Sequence, residues 1–327
     1  MTQSTDTTVP VPVEADWDRA PSVLEGAKTL ELTPERCGLP YWFEHVASGM
    51  LGRLADGTVT SEPPTAAVTE PGPLRDALLA EFSFRHLAEE KAARALSFLV
   101  FHAPDTACLE FFSTQLVDEA RHARAFRDHL LRLGVPAAEL AATVEKAAGA
   151  ASAAVLDPLE EFGLRVLRDN GDFYGGVLVL TVLVEGVLAP AAELSERKWR
   201  PLDPAAALVE RGANMDEIRH LAVGSAVVRR HLTERPEENA RLLEIIQEGR
   251  RLWAGLPMVD LLFTRESLFQ QGLAEHAELI GDYEIWPGRR LVDTGVQERM
   301  EAADRWSRET QDQRLEYMLL GEAVDPT

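Results

Sequence analysis

Cysteine and basic residues are both scarce in this sequence. Only two of its 327 residues are cysteines, Cys37 and Cys108, so no disulfide framework is indicated, and their spacing does not suggest a zinc site. We expect both thiols to be buried and without a functional role. The 33 Lys and Arg residues against 54 Asp and Glu give a formal net charge of -21. This balance argues against broad binding to nucleic acid or to anionic membranes, because phosphates attract Lys and Arg.

Long uninterrupted apolar runs are also missing. No stretch of about 18 apolar residues occurs, and the N-terminus has no basic patch followed by an apolar segment. We therefore expect no membrane span and no secretory signal, and a soluble cytoplasmic protein. Hydrophobic residues make up 46% of the chain, which is enough for a large core. The length fits one large domain as well as two.

The first 73 residues lack the composition that is typical of long helices. Residues 1 to about 20 are polar and without periodicity, which predicts a flexible N-terminal arm. The aromatic residues after Pro40 predict a short helical packing segment that extends to Leu54. The run from Asp56 to Pro73 is rich in Gly, Pro, Thr and Ser and predicts a loop.

The rest of the chain is rich in Ala, Leu, Glu and Arg, a composition typical of long helices. Helix-breaking residues divide it into segments. The long predicted helices are 73–102, a second that ends at Leu133, about 172–198 and about 204–232. Shorter ones are predicted at about 137–150 and 158–168, and two or more helices at 237–279 and 292–320. The last group is expected to pack around the four long helices or to form subunit contacts, as in a homodimer. No segment shows the alternation of a strand.

The predicted helix at 172–198 is apolar on nearly every side, most clearly from Val177 to Val184. A helix of this kind must be buried. Glu185 is the one acid in this apolar surrounding.

Two Glu-x-x-His motifs stand about a hundred residues apart in the sequence. The segments 118–122 and 216–220 share the pattern Asp-Glu-x-Arg-His. Residues three apart on a helix lie on the same face, so the Glu and His of each motif can bind one metal ion. None of the other six histidines has a Glu three residues before it. A single motif is weak evidence for a metal site, but its repetition is a strong indication.

Each motif has an acid at a matching distance on the preceding helix. A proline lies midway between Glu90 and Glu119, and another lies midway between Glu185 and Glu217. If the chain folds back at each proline, each Glu lies roughly 20 Å from the turn, at about 1.5 Å per residue, and level with its partner. Four carboxylates and two imidazoles then converge inside the bundle.

Such a cluster requires metal ions. Four buried carboxylates without partners would repel one another and lose their hydration, whereas two divalent cations would neutralise them. Carboxylate oxygens with one imidazole per ion suit iron or manganese, and open coordination positions can accept dioxygen. The sequence therefore predicts a dinuclear site.

Two neighbouring acids compete for the position on the first long helix. Glu89 shares its helix face with Phe82 and Leu96, whereas Glu90 shares its face with Ser97 and Phe101. Periodicity alone favours Glu89 slightly.

The paired motifs, each with an acid upstream, resemble the ferritin-like di-iron carboxylate proteins. The closest resemblance is to the hydroxylase subunits of bacterial multicomponent monooxygenases, and it covers about residues 80–230. In those proteins the first ligand tends to be followed by one large residue and two small ones. Glu90 is followed by Lys91 and then by Ala92 and Ala93, which match the small pair and move the preference to Glu90.

This resemblance implies an all-α fold with a ferritin-like four-helix bundle core and additional flanking helices. A single domain would follow the arm and span residues 21–327, with its metal-binding core at about 74–232 and C-terminal packing helices at 237–320. The implied metal ligands, which are also the catalytic residues, are Glu90, Glu119 and His122 around one iron, and Glu185, Glu217 and His220 around the other.

The resemblance also implies roles around the ligands. Asp118 and Asp216 would hold the ligand histidines, with Arg121 and Arg219 balancing those acids. The cofactor would be two iron ions or a Mn/Fe pair, with dioxygen as cosubstrate. Electrons would come from a separate reductase or ferredoxin, because the chain has no flavin, nicotinamide or iron–sulfur motif.

Three positions depart from the patterns of these proteins. Ala189 replaces the threonine near the oxygen site of the monooxygenases, which puts their proton delivery in doubt. Phe126 stands where most ribonucleotide reductase small subunits have the radical tyrosine, although a minority with a manganese and iron site have Phe there. Ala213 replaces the extra histidine of the arylamine N-oxygenases. The candidates for a substrate pocket are His86, Phe112, Gln115, Phe126 and Ala189.

The leading hypothesis is a non-haem di-iron, O2-dependent oxygenase that acts on a small organic molecule by C-hydroxylation or N-oxygenation. The runner-up is a soluble acyl desaturase, for which Glu81 would give the longer first spacing. A ribonucleotide reductase small-subunit-like protein and an iron-binding ferritin-like storage protein are two further candidates.

Overall fold

The computed structural model describes residues 11–47 and 63–323 of the chain. Four long helices form its centre: α1 (Pro73–His102), α2 (Thr106–Arg132), α3 (Phe173–Trp199) and α4 (Pro204–Glu234). α1 packs along α2, and α3 packs along α4. The predicted all-α architecture is confirmed, with helix bounds close to those expected from the sequence.

Both pairs of helices turn at the expected prolines. α2 begins after Pro104, where the Asp105 side chain accepts a hydrogen bond from the Cys108 backbone N–H at 2.8 Å. α4 begins after the turn that contains Pro201, where Asp203 accepts two backbone N–H groups in the same way. Proline stops one helix and the capping aspartate starts the next. Each hairpin is therefore determined by local sequence.

Two apolar layers enclose a polar layer inside the bundle. One apolar cluster combines the start of α1 with the end of α2, as at Leu78 and Leu130. The other combines the end of α1 with the start of α2, as at Leu99 and Phe111. The two Glu-x-x-His motifs lie between these clusters along their helices. The surrounding apolar residues therefore separate the motifs from solvent on both sides.

α3 is the most apolar of the described helices. It has a mean hydropathy of 2.0 over 18 residues, enough by length and composition for a membrane span, but 78% of that window is buried inside the protein. Such burial is typical of a central core helix. Within it Val179–Glu185 follows the wider π-helical pattern. Two carbonyl groups of this segment accept side-chain hydrogen bonds, Val182 from Gln311 at 2.8 Å and Leu183 from Trp253 at 2.5 Å.

The C-terminal part contributes three more long helices: α5 (Asn239–Gly255), α6 (Met258–Glu275) and α7 (Val296–Tyr317). α7 packs on α3, and α6 packs on α1. A short antiparallel hairpin, β1 (Glu284–Trp286) with β2 (Arg289–Arg290), lies between α6 and α7. The expectation of no strand was wrong here, because strands of three and two residues are too short to show alternation.

The region between α2 and α3 was predicted as two short helices. The structure instead has short helical pieces that alternate between α- and π-type: Leu140–Val144, Glu145–Gly149, Ser152–Leu156, Asp157–Leu164 and Arg165–Asp169. They end at the expected turn, where Gly171 has a positive φ of 62°.

The described N-terminal residues pack on the bundle. Glu14 is 5% exposed and accepts a hydrogen bond from the Tyr41 hydroxyl at 2.7 Å. The prediction of a flexible arm therefore fails for residues 11–20, and residues 1–10 lie outside the described part. The packing segment is helical over residues 39–47, and its remainder, with much of the predicted loop, falls in the undescribed residues 48–62.

Candidate metal centre

Four carboxylates and two imidazoles meet in the polar layer of the bundle. Each of these six residues is at most 8% exposed. Their ligand atoms form two groups, each with atoms within 4.8 Å of one another. One group is Glu89, Glu119, His122 and Glu217, and the other is Glu119, Glu185 and His220.

Glu119 lies between the two histidines. Its Oε2 is 3.5 Å from Nδ1 of His122, and its Oε1 is 3.1 Å from Nδ1 of His220. Glu217 Oε2 is farther from His220 Nδ1, at 3.9 Å. Glu89 Oε2 is 4.0 Å from His122 Nδ1. Glu119 is therefore within reach of both histidines and belongs to both groups.

The structure corrects the choice of acid on α1. The Glu90 side chain is 44% exposed and accepts a hydrogen bond from Arg94 at 2.6 Å, so it lies on the surface. Glu89 is buried in the cluster in its place. Successive residues on a helix point about 100° apart, so one position separates the interior from the surface. The periodicity that favoured Glu89 was the better guide.

The grouping of the ligands also differs from the expectation. The resemblance assigned Glu217 to the same ion as Glu185 and His220, but the structure groups Glu217 with His122. Glu119 belongs to both groups. This grouping depends on tertiary packing. Because α2 and α4 face each other, Glu119 and Glu217 can each reach the histidine of the other motif.

The aspartate of each motif holds the histidine of the other motif. Asp216 Oδ2 is 3.1 Å from Nε2 of His122, and Asp118 Oδ2 is 3.4 Å from Nε2 of His220. With each Nε2–H donated to an aspartate, the Nδ1 lone pair faces the carboxylates. Each aspartate thus contacts Nε2, the histidine nitrogen that faces away from the glutamate carboxylates. In both cases the histidine belongs to the other motif.

Two arginines neutralise these aspartates. Arg219 donates to Asp118 and also contacts Asp216, its Nη1 lying 3.0 Å from Oδ1. Arg121 donates to Asp216 and lies 3.2 Å from Asp118. Burial opposes ionisation of Asp216, but the two guanidinium groups hold its pKa well below the usual range. The two Asp and two Arg side chains form a neutral network, as the resemblance implied.

Unsatisfied atoms show that the cluster fits metal ions. Buried polar side-chain atoms normally have hydrogen-bond partners. Five atoms of the two groups lack any within the described structure, and they are Glu119 Oε1, His122 Nδ1, Glu185 Oε2, Glu217 Oε2 and His220 Nδ1. These are oxygen and imidazole nitrogen donors, the set that suits iron and manganese.

The pKa shifts of the cluster glutamates also indicate a metal site. Burial and nearby carboxylates raise the pKa of Glu119 and of Glu217 well above the usual value. Burial, with the charge of Glu89, raises the pKa of Glu185 to about 8. Burial also opposes ionisation of Glu89, but its hydrogen bond with Glu119 and the nearby His122 lower its pKa. Divalent cations would displace these protons on binding.

An inner cavity lies directly beside the carboxylates. We use this name for the space between Glu89, Glu185 and the apolar side chains of Ala88, Leu180 and Leu188. Its volume is about 80 Å³, enough for about six water-sized groups at about 10–15 Å³ each. A small or narrow apolar molecule would therefore fit next to the cluster.

Of the five predicted pocket residues, only Ala189 is among those that line the inner cavity. His86 Nδ1 lies 2.9 Å from the Ala123 carbonyl oxygen and is structural. Phe126 packs edge-to-face on Phe82, with ring centroids 5.0 Å apart. These two residues were therefore assigned wrongly.

The other two predicted pocket residues also contact protein groups. Phe112 packs between Phe111 and Phe173 in the core. Gln115 donates a hydrogen bond to Glu185 Oε1 at 2.5 Å. Gln115 thus supports a cluster residue, although it does not line the cavity.

Two further contacts have no signal in the sequence. Trp42 Nε1 donates to Asp118 Oδ1 at 2.9 Å across 76 positions of the chain. Arg85 pairs with Glu210 at 3.1 Å and approaches Glu89 at 4.0 Å. Both contacts depend on tertiary packing, so spacing along the chain could not indicate them.

No family model matches, and no curated protein matches. Among solved structures, a protein with aldehyde deformylating oxidase activity from Synechococcus has a TM-score of 0.52 at 18% identity, covering 78% of this chain and 96% of its own. An R2-like ligand-binding oxidase mutant with a reconstituted Mn/Fe cofactor has a TM-score of 0.53 at 16% identity, covering 89% of this chain and 92% of its own.

A second mutant of the R2-like ligand-binding oxidase, with a reconstituted Fe/Fe cofactor, has a TM-score of 0.51 at 16% identity, covering 89% of this chain and 91% of its own. The chain has the ferritin-like fold. The resemblance inferred from the paired motifs is therefore confirmed for the fold. In this ferritin-like bundle the six cluster residues come from all four long helices.

Proposed function

We propose that this protein binds a dinuclear centre of two iron ions, or of manganese and iron, and is an O2-dependent oxidoreductase. The convergence of five unsatisfied buried ligand atoms at two adjacent points carries this proposal. Charge supports it as well. Four glutamates balance two divalent cations, and the surrounding Asp and Arg pairs are already neutral.

The compared structures give independent support. They are oxidases, and two of them hold reconstituted Fe/Fe or Mn/Fe cofactors. At this level of identity the similarity supports the fold. The chemistry proposed for this chain therefore depends on its own residues.

The side chains define what the protein does around such a centre. The residues that would hold the two ions are Glu89, Glu119, His122, Glu185, Glu217 and His220. The chemistry that a bound, reduced metal pair would supply is the transfer of electrons to dioxygen. Asp216 fixes the orientation of His122, and the apolar wall of the inner cavity excludes water from the reacting atoms.

We propose a small and largely apolar organic substrate, oxidised by C-hydroxylation or N-oxygenation. Ala88, Leu180, Leu188 and Ala189 border the cavity next to Glu185, which favours an apolar group at that point. Electrons would come from a separate reductase or ferredoxin, and we expect the protein to work in the cytoplasm. The acidic composition supports the absence of a nucleic-acid or membrane partner.

Two of the competing functions are not the ones that the site favours. Glu81, the acid required for desaturase-like spacing, forms an ion pair with Lys198 at 2.9 Å and is not in the cluster. Phe126, at the position of a radical tyrosine, is a buried core residue. Neither a desaturase nor a radical-bearing subunit is therefore our proposal.

Metal titration tests the centre. Anaerobic loading with ferrous iron, followed by elemental analysis, should give two metal ions per chain in the wild type. Glu119→Ala should bind far less than one, because Glu119 belongs to both groups. Glu90→Ala, at an exposed position on the neighbouring helix, is the matched control and should bind two.

Oxygen consumption tests the activity. The reduced, loaded wild type should consume dioxygen, measured with an oxygen electrode, and Glu119→Ala should not. Stoichiometric metal in Glu119→Ala, or equal loss of metal in Glu90→Ala, would refute the site.

A further inference from the structure

A second cavity lies next to the inner one. We call it the outer cavity, and its apolar wall includes Phe84, Trp253, Leu262 and Met300, which come from α1, α5, α6 and α7. Its volume is about 480 Å³, within the range of about 300–1,000 Å³ typical of small-molecule sites. The outer cavity can therefore hold a larger ligand than the inner cavity can.

The two cavities share part of their walls. Arg85, Ala88 and Leu188 line both of them. These three side chains form a boundary between the outer cavity and the inner cavity, which Glu185 also lines. Ala88 and Leu188 make that boundary apolar.

One cation in the outer cavity has no hydrogen-bond partner among the described residues. Arg265 lines this cavity, and its Nε is among the buried atoms without a partner. Its nearest acid is Glu81, whose Oε2 lies 3.8 Å from Nε, too far for a hydrogen bond. That carboxylate already accepts hydrogen bonds from Lys198 and Trp199.

The charges of the ion-pair network around Arg265, whose side chain is 19% exposed, do not balance. Glu81 and Glu266 are the two acids of this network, and Lys198, Arg299 and Arg265 are its three bases. One positive charge is therefore left over. Arg299 and Lys198 are hydrogen-bonded to Glu266, so the cation without a hydrogen-bonded acid is Arg265.

The other three arginines of the outer cavity are already engaged, and the first of them, Arg85, pairs with Glu210 at 3.1 Å. Arg308 is 66% exposed and pairs with Asp304 at 2.7 Å. Arg250 lies 3.5 Å from Asp312.

Two further carboxylates line the cavity: Asp304 pairs with Arg308, and Glu301 accepts a hydrogen bond from Gln297 at 3.0 Å. Arg265 is thus the group best placed to receive an anion from a bound molecule.

We propose that the outer cavity binds an organic monocarboxylate, with the carboxylate on Arg265 and the apolar body along Leu188 and Ala88. A guanidinium presents parallel N–H donors that match a carboxylate, and the surplus charge is neutralised when the anion binds. The apolar wall accommodates the rest of the molecule. The direction of the body towards the carboxylate cluster rests on the proposed function, but the anion site does not.

Calorimetry with a charged and an uncharged ligand tests the site. Octanoate and octan-1-ol have similar apolar bodies, and both are titrated into full-length, iron-loaded protein without oxygen. Octanoate should bind about tenfold or more tightly than octan-1-ol, the difference expected of one charge-assisted contact. Equal affinities for the two ligands would overturn the proposal, whether or not any variant folds.

Two arginine variants locate the anion. Arg265→Gln should lower octanoate affinity to that of octan-1-ol, while Arg308→Gln, at an exposed arginine of the same cavity, should leave it unchanged. Undiminished binding in Arg265→Gln would overturn the assignment. Circular dichroism of both variants checks that each is folded.

The binding test is separate from the test of the metal centre. Octanoate binding that depends on Arg265, in a protein that consumes no dioxygen, would reject the proposed function and leave this site. Dioxygen consumption without octanoate binding would reject this site and leave the proposed function.

Discussion

His122 and Asp216 belong to different copies of the repeated motif, yet Nε2 of His122 lies 3.1 Å from Oδ2 of Asp216. Asp118 has the same relationship to His220, at 3.4 Å. The two motif helices therefore support each other, and neither motif is complete alone. This reciprocity explains why both copies contain an aspartate before the glutamate.

Replacing Asp216 with Asn should weaken metal binding and preserve the fold. The amide has the same shape but no negative charge, so its oxygen accepts the Nε2–H of His122 more weakly and no longer raises the basicity of the ligand nitrogen. Loss of such a partner typically lowers metal affinity by about 10- to 100-fold. Competition with a chromophoric chelator measures the affinity. Asp128→Asn, at an ion pair on the surface of α2, should have no effect, and equal loss in both variants would contradict the assignment.

Replacing Gln311 with Met should destabilise the π-helical segment that ends at Glu185. Gln311 Nε2 donates to the Val182 carbonyl at 2.8 Å, and a buried carbonyl left without a donor costs about 1–3 kcal/mol. We expect a lower free energy of unfolding in urea and weaker binding of one of the two ions. Gln297→Met on the same helix, where Gln297 is exposed, serves as control. Unchanged stability and metal content in Gln311→Met would show that the segment needs no such support.

Replacing Glu81 with Gln should alter how stability depends on pH. Burial opposes ionisation of Glu81, but Arg265 and Lys198 lower its pKa from 4.5 to about 2. A depressed pKa in the folded state stabilises the protein above pH 4.5, and this contribution disappears as the pH falls towards about 2.

The penalty of Glu81→Gln should therefore be on the order of 3 kcal/mol at about pH 6 and should shrink on acidification. Urea unfolding at a series of pH values measures it. Glu90→Gln, at an exposed carboxylate, is the control. A penalty that stayed constant with pH would contradict the shifted pKa.

Replacing Gly163 with Ala should stabilise the protein and narrow the inner cavity, which Gly163 lines. A Cβ at Gly163 would meet only Val179 Cγ1, at 3.8 Å, and alanine in place of glycine inside a helix gains about 0.5–1 kcal/mol. At Gly176 a Cβ would clash with the Leu167 side chain, so Gly176→Ala should lower the melting temperature. Thermal unfolding compares the two variants. A lower melting temperature in Gly163→Ala would show that the site is more tightly packed than the structure indicates.

The sequence by itself determined the helices, their turns and most of the cluster. Pro104 and Pro201 interrupt the chain midway between paired acids, and a proline has no backbone N–H to donate to a continuing helix. The i, i+3 spacing of Glu119 and His122 places both on one helix face in any fold. These features depend on local geometry, so they can be predicted without the tertiary structure.

Tertiary packing decided the rest. Glu89 and Glu90 are neighbours with the same side chain, and only the rotation of α1 against the bundle makes one a cluster residue and the other a surface residue. The aspartate–histidine contacts between the two motifs and the surroundings of Arg265 likewise depend on groups that lie far apart in the chain. Their distances are fixed by how the helices pack, and local spacing contains no information about that packing.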